Sequence, residues 1–383
     1  MTVALPPVVD GALIEAKLRC LLKFIGLETL QAPVTQHQSS PVEAQTTERI
    51  TFTPGLPVPS RTFEIVKQGG DRPEVADAVT SPPDGYLTIF DAHHAPAEAD
   101  PLEAGHQTRH LIDSELSDNG ILLIRDTGLS NAESCSRFAQ GLGYDRMTYE
   151  PYGPPRKKIA GMDSVTAVPG QFRQDIHNEM SYNPEPNSKI IFMCLQPAES
   201  GGENLLAKTA DFTSQISAAT LQRFNNKGGV RYLRVYNDPY HGTNIMSWGE
   251  RTGCDTLQSA AQYWRDLGFQ PADITSRQDG KLFVENRRPA CIHHPESGDP
   301  LFFNIAQTRV KPVNSTPFQI TYGDGDEIED CIIAEIIQAH WNATVALRLE
   351  QGDMLVLDNY AALHGRLPYT GEDRTLLTLL TRD

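Results

Sequence analysis

Three apolar runs crowd the end of this chain: VALRLE at 345–350, DMLVLD at 353–358 and RTLLTLL at 374–380. Each is strand-length, and only Gln351-Gly352, a turn signal, parts the first two. NGILLIRD (119–126) and KIIFMCLQ (189–196) read as buried strands, while GVRYLRVYN (229–237) and KLFVENRR (281–288) alternate. HPESGDPLFF (294–303) reads as a hairpin turning at Gly298. Helices are interposed: a capping box at Ser130–Glu133 opens one over 131–141, and EIEDCIIAEIIQAHW (327–341) carries one apolar face. The pattern predicts a mainly β fold with helical insertions, α+β in class, with a β-sandwich or barrel-like core.

At 383 residues the chain has room for one large domain, or one domain with an extension. The texture changes near residue 106. Residues 1–105 read as an N-terminal extension of no evident role, with a helix over 10–26 and loop-rich stretches at 32–48, 69–84 and 91–105. Residues 106–383 read as the principal domain. The net charge is −16, and no run of Lys and Arg builds the positive field that nucleic acid requires. The longest basic cluster, Arg156-Lys157-Lys158, reads as a solvated loop. No apolar stretch approaches the ~18 residues of a membrane span, and MTVALPPVVD lacks the basic flank of a secretory signal. Six cysteines form no Cys-x-x-Cys pair, and Cys20, Cys194 and Cys331 lie in apolar runs. Buried free thiols in a reducing, cytoplasmic compartment are expected.

The chemistry turns on QDIHNEMSYNP (174–184), which holds His177-x-Glu179. With 11 histidines and 49 acidic residues, chance gives about one or two His-x-Asp/Glu triplets. The chain has two, the other being His294-Pro-Glu296, so the surroundings must decide. On an extended segment residues two apart point to the same side, and one imidazole and one carboxylate can converge on one ion. A third ligand has to come from elsewhere. His364, between DMLVLD and the final strand, is best placed. His241 precedes Gly242 in a loop, His293 and His294 flank the hairpin turn, His340 ends an exposed helix, and His93-His94 stand beside Asp91 in a polar stretch. Two histidines and one carboxylate are the facial ligand set of non-heme Fe(II) oxygenases, which leaves places open for an α-keto acid and dioxygen. The same set binds zinc for hydrolysis, although the helical His-Glu-x-x-His spacing is absent. Arg374 opens the last strand and offers a planar fork to the distal carboxylate of a keto acid, with Arg366 and Arg382 as rivals.

HNEMSYNP, LQPAESGGENLLA (195–207), RPACIHHPESGDPLFFN (288–304), YGDGDEIED (322–330) and GDMLVLDNYAALHGRLPYTGEDR (352–374) together resemble the taurine dioxygenase family of Fe(II)/2-oxoglutarate oxygenases. Glu in the triplet makes the chain similar to clavaminate synthase and its relatives, and the series looks most like the branch containing the aspartyl hydroxylase of syringomycin assembly. The resemblance covers roughly residues 106–383. It implies a double-stranded β-helix, or jelly roll, with Fe(II) on His177, Glu179 and His364, and 2-oxoglutarate and O2 as cosubstrates. Arg374 falls where the distal carboxylate of 2-oxoglutarate binds. Asn204 stands where the family usually has a Thr that helps hold the same carboxylate.

The branch also implies a small-molecule substrate, an amino acid or amino-acid-derived natural product, free or tethered to a carrier protein. Oxidation of its C–H bond, most simply hydroxylation, releases succinate and CO2. Candidate substrate contacts are Arg156, Tyr182, Asn304 and Arg309. Two other readings stay open: a catabolic dioxygenase acting on a small sulfonate or aryloxyalkanoate, and a non-catalytic jelly-roll binding module.

Overall fold

KIIFMCLQ is apolar at successive positions because both faces of its strand are covered. In the computed structural model Lys189–Gln196 pairs antiparallel with Met354–Asp358 on one side and Thr375–Thr381 on the other. Ile191 and Met193 pack with Ile112, Leu116 and Phe138 of two helices, Pro101–Asn119 and Ala132–Leu142. Ile190, Phe192 and Cys194 point the other way, onto Leu206, Val345, Leu347 and Ala362 of a second sheet. The alternation is the ordinary consequence of the strand's two-residue period.

The structure describes residues 53–54, 62–63, 79–92, 100–147, 156–165, 168–239, 247–309, 318–371 and 374–383. The expected helix over 10–26, the loops of 32–48 and the histidines at 93, 94 and 241 lie outside them.

The large sheet runs in the order Thr53–Pro54, Thr88–Asp91, Ile121–Arg125, Met354–Asp358, Lys189–Gln196, Thr375–Thr381, Met162–Ser164, Lys158–Ile159. All its neighbours are antiparallel except Thr88–Asp91 against Ile121–Arg125, which are parallel and joined across the sheet by helix Pro101–Asn119. The smaller sheet has the order Val345–Leu347, Asn204–Lys208, Ala362–Arg366, Gln174–His177. Its far face carries Ile176, Leu205, Ala207 and Leu363 against helix Asp330–Ala343 and a third sheet that includes Val230–Tyr236 and Phe318–Tyr322. Among the described residues no helix is long and apolar enough to cross a membrane.

Several expectations are corrected. The boundary expected at 105/106 falls inside helix Pro101–Asn119, and Thr88–Asp91 before it already belongs to the large sheet. Asp100 caps that helix, with Pro101 at its first position, so the helix starts five residues before the change in texture. The capping box of the next helix joins Asn131 to Ser134 rather than Ser130 to Glu133. VALRLE contributes a strand only over Val345–Leu347. His340 is buried and stacks on Phe212 at 4.0 Å, because it lies on the inward face of its helix. Cys331 lies on the outward face of the same helix and is exposed, whereas Cys194 is buried; both are free thiols.

Candidate active site

The edge of the smaller sheet brings two histidines together. Gln174–His177 pairs antiparallel with Ala362–Arg366, and His177 stands directly opposite His364 in the register. Their ring centroids lie 4.5 Å apart. The register slips between His364 and Arg366, at Gly365. A Cβ on Gly365 would sit 2.7 Å from the carbonyl oxygen of Gln174. Only glycine lets the two histidine-bearing strands approach this closely.

Glu179 lies just past the end of its strand, where the chain leaves the sheet. Asn359 fixes it from the opposite segment: its side-chain oxygen accepts from Glu179 N at 2.7 Å, and its amide donates to the Glu179 carbonyl at 2.8 Å. Asn178 donates to the Asn359 carbonyl at 2.8 Å and points away from the pocket. Met180 then takes a left-handed conformation (φ 51°), uncommon for a residue with a side chain. The backbone of the ligand loop is therefore bolted in place by two buried asparagines, neither of which carries a sequence signal.

One donor atom each from His177, Glu179 and His364 lies within 4.8 Å of the others, the sole such cluster of three among the described residues. His177 Nδ1 is 2.8 Å from the Asp175 carbonyl, a contact that needs its proton, so Nε2 keeps a free lone pair. His364 Nδ1 is buried with no hydrogen-bond partner. Burial, then the neighbouring His364, pushes the His177 pKa down to about 4. Burial alone would raise the Glu179 carboxyl, but the charge of Arg156 and the contact with His364 outweigh it and hold the group well below the usual range. Neutral imidazole and ionised carboxylate are the states a metal requires. The donor set fits a divalent ion of the iron type.

These three residues line a pocket enclosing about 420 Å³ of space out to its mouth, together with Arg156, Gln174, Phe192, Asn204, Arg366 and Arg374. Arg374 donates from Nη2 to Asn204 Oδ1 at 3.1 Å and to the Gly202 carbonyl at 3.3 Å. Arg366 donates to the Phe172 carbonyl at 2.7 Å. The Tyr369 ring lies beside both guanidiniums, 4.7 and 5.5 Å from their centres. Among the described residues neither arginine forms an ion pair. Burial, then the charge of Arg374, lowers the Arg366 pKa to about 10. Two buried cations without a carboxylate make a site for an anion. Arg382, the other rival, sits at the surface near Asp145.

The candidate substrate contacts fare differently. Arg156 reaches the pocket, but it does so by bonding Glu179 Oε2 at 2.9 Å. Tyr182 packs edge-on against Tyr232 and Phe318 in the core. Asn304 is buried and bridges the Ala290 carbonyl and Ala306 N. Arg309 pairs with Glu327 and Asp330 beside helix Asp330–Ala343. These last three are not among the residues that line the pocket, because nearer polar and aromatic partners hold them. Gln174, Phe192 and Asn359 were not singled out from the sequence; the first two lie on strands flanking the ligands, where only pairing register could have marked them.

Comparison with known proteins supplies the rest. The chain is 26% identical over 289 residues to the dapdiamide synthesis protein DdaC of Enterobacter agglomerans, covering 71% of this chain and 85% of that protein. It is 25% identical over 321 residues to a clavaminate synthase-like protein of Arabidopsis thaliana, covering 79% and 92%. The crystal structure of PvcB from Pseudomonas aeruginosa aligns over 90% of this chain and 95% of that one, with 14% identity and a TM-score of 0.44. A model of the family described as taurine catabolism dioxygenase TauD, TfdA matches residues 91–380. The chain is thus a dioxygenase and belongs to the taurine catabolism dioxygenase TauD, TfdA family.

Proposed function

We propose that this protein is an Fe(II)/2-oxoglutarate-dependent hydroxylase acting on an amino acid or an amino-acid-derived natural product. The observation that carries the reading is one pocket with a His-Glu-His donor cluster and, in the same wall, two buried guanidiniums without an ion-pair partner among the described residues. The biosynthetic direction is supported by the dapdiamide synthesis relative. The facing large and smaller sheets support a jelly-roll frame that begins at Thr88–Asp91.

Iron with 2-oxoglutarate and dioxygen supplies the oxidising power, and succinate and CO2 are the coproducts. The protein's own part is geometric and electrostatic. His177, Glu179 and His364 would hold the metal through one donor atom each. The Asp175 carbonyl keeps the His177 proton on Nδ1, so Nε2 remains a donor. Arg374, steadied by Asn204, holds the distal carboxylate of 2-oxoglutarate. Phe192, 5.3 Å from the His364 ring, walls the ligands from the sandwich core and keeps that side dry.

A coupled assay tests the substrate class. Purified protein with Fe(II) and 2-oxoglutarate is offered free amino acids, carrier-tethered amino acids, small sulfonates and aryloxyalkanoates, and succinate is measured. The reading expects succinate release with an amino acid, free or tethered, and a product heavier by one oxygen. Turnover confined to the sulfonates or aryloxyalkanoates would assign a catabolic role to the same site.

A further inference from the structure

Arg156 sits in the pocket wall, and its guanidinium bonds the Glu179 carboxylate. Its segment leads into the outermost hairpin of the large sheet, where Lys158–Ile159 pairs with Met162–Ser164 around Ala160-Gly161. From there the guanidinium crosses to the ligand loop of the smaller sheet, and Nη2 lies 2.9 Å from Glu179 Oε2. Both side chains are only 4% exposed. The same Glu179 oxygen lies 3.6 Å from His364 Nε2.

Glutamate brings a problem that a shorter ligand would not. It has one more rotatable bond than aspartate, and its carboxylate can swing to grip a metal with both oxygens. Gripping with both would fill a coordination place that the keto acid or dioxygen needs. A guanidinium held on one oxygen by a charge-assisted bond between two buried side chains restricts that swing.

We infer that Arg156 is a positioning residue that restrains Glu179 to ligate through a single oxygen, keeping the remaining metal positions open for 2-oxoglutarate and dioxygen. The inference rests on the iron reading above and explains how a His-x-Glu triplet does the work of the shorter ligand. It also moves Arg156 from substrate contact to ligand support. Arg156 adds a positive charge beside the metal place, so it trades metal affinity for coordination geometry.

The test is a pair of titrations on Arg156→Met and Arg156→Lys, in the full chain without oxygen. The first measures Mn(II) and Fe(II) affinity by calorimetry. The second measures how much 2-oxoglutarate is needed to develop the visible band of the iron–keto-acid chelate. Arg156→Met removes a positive charge beside the metal place and is expected to bind metal about ten-fold tighter, yet to need about ten-fold more 2-oxoglutarate because the carboxylate is no longer oriented. Arg156→Lys keeps the charge and one donor, and is expected to lie near wild type on both. Adding Glu179→Asp to Arg156→Met should recover keto-acid affinity, since the shorter carboxylate needs no restraint. Should Arg156→Met not fold, Arg156→Gln takes its place with the same two expectations. The inference is overturned if the uncharged variant binds metal no tighter and keto acid no worse than wild type, or if both affinities fall together. A wild-type protein that forms no chelate band would sink the iron reading itself, which separates the two failures.

Discussion

The chain carries two His-x-Glu triplets, and only one of them is built into a site. His177 and Glu179 leave the edge of a buried strand and meet His364 across the sheet. His294 and Glu296 sit on the hairpin between Cys291–His293 and Pro300–Phe302. There both ring nitrogens of His294 are taken: Nδ1 accepts from the backbone of Glu296 and Ser297 at 3.2 Å each, and Nε2 is 3.1 Å from Asp358. Glu296 is exposed. His177 uses Nδ1 alone and keeps Nε2 free. Spacing is identical in the two triplets, so what sets the first apart is an unused lone pair, burial and a third donor arriving from another strand.

The largest expected effect breaks this symmetry directly. His177→Ala should weaken Mn(II) or Fe(II) binding by at least ~100-fold, on the order of one ligand's share of a metal's binding energy. His294→Ala should leave metal affinity at the wild-type level, read by the same calorimetric titration. Next comes the anion end of the pocket. Arg374→Ala removes a charge-assisted contact of about 3 kcal/mol and should raise the 2-oxoglutarate dissociation constant ~100-fold, whereas Arg382→Ala at the surface should not move it.

A third pair compares glycines in the two regions. Gly365→Ala forces a Cβ to within 2.7 Å of the Gln174 carbonyl and should lose roughly 2–3 kcal/mol in denaturant melts, with weaker metal binding. Gly298→Ala, in the hairpin turn at φ 76° with open space around it, should lose only about 1 kcal/mol through its backbone conformation and leave metal binding intact.

The smallest effect lies in the frame, away from both triplets. Burial raises the Asp353 pKa to about 6, against the backbone hydrogen bond from Glu350 and the charge of Arg125. A carboxyl with a raised folded pKa binds more protons folded than unfolded, so its contribution to stability is full below about pH 4 and is lost as pH rises through 6. Wild type should lose about 1–2 kcal/mol between pH 5 and 7 on this account. Asp353→Asn should flatten that slope in thermal melts while metal affinity stays the same.

Much of this was legible in the residues because periodicity reports burial. KIIFMCLQ announced a strand covered on both faces, and it sits between two others at the centre of the large sheet. GVRYLRVYN and KLFVENRR announced alternation and form Val230–Tyr236 and Leu282–Arg288 side by side. The family assignment followed from ordered blocks and was confirmed by the match over residues 91–380. What failed depends on contacts that spacing does not encode. His340 and Cys331 share one helix with opposite exposure, and the sequence reading had them the wrong way round. The boundary at 105/106 followed composition, whereas the fold continues back through Asp100 and Thr88–Asp91 because a helix and a parallel strand need each other. Arg309 and Tyr182, named as candidate substrate contacts, bond Glu327 and Asp330 and pack on two aromatic rings, and neither is among the residues that line the pocket.

The central claim is that His177, Glu179 and His364 hold iron, with Arg374 anchoring 2-oxoglutarate beside it. The most direct measurement is an anaerobic titration of the protein with Fe(II) and then 2-oxoglutarate, followed by the visible band of the chelate, in wild type, His177→Ala and Arg374→Ala. The account predicts a band in wild type, none in His177→Ala, and a band in Arg374→Ala only at far higher keto acid. A wild-type protein that binds iron but develops no band, or a band unchanged by either substitution, would contradict it.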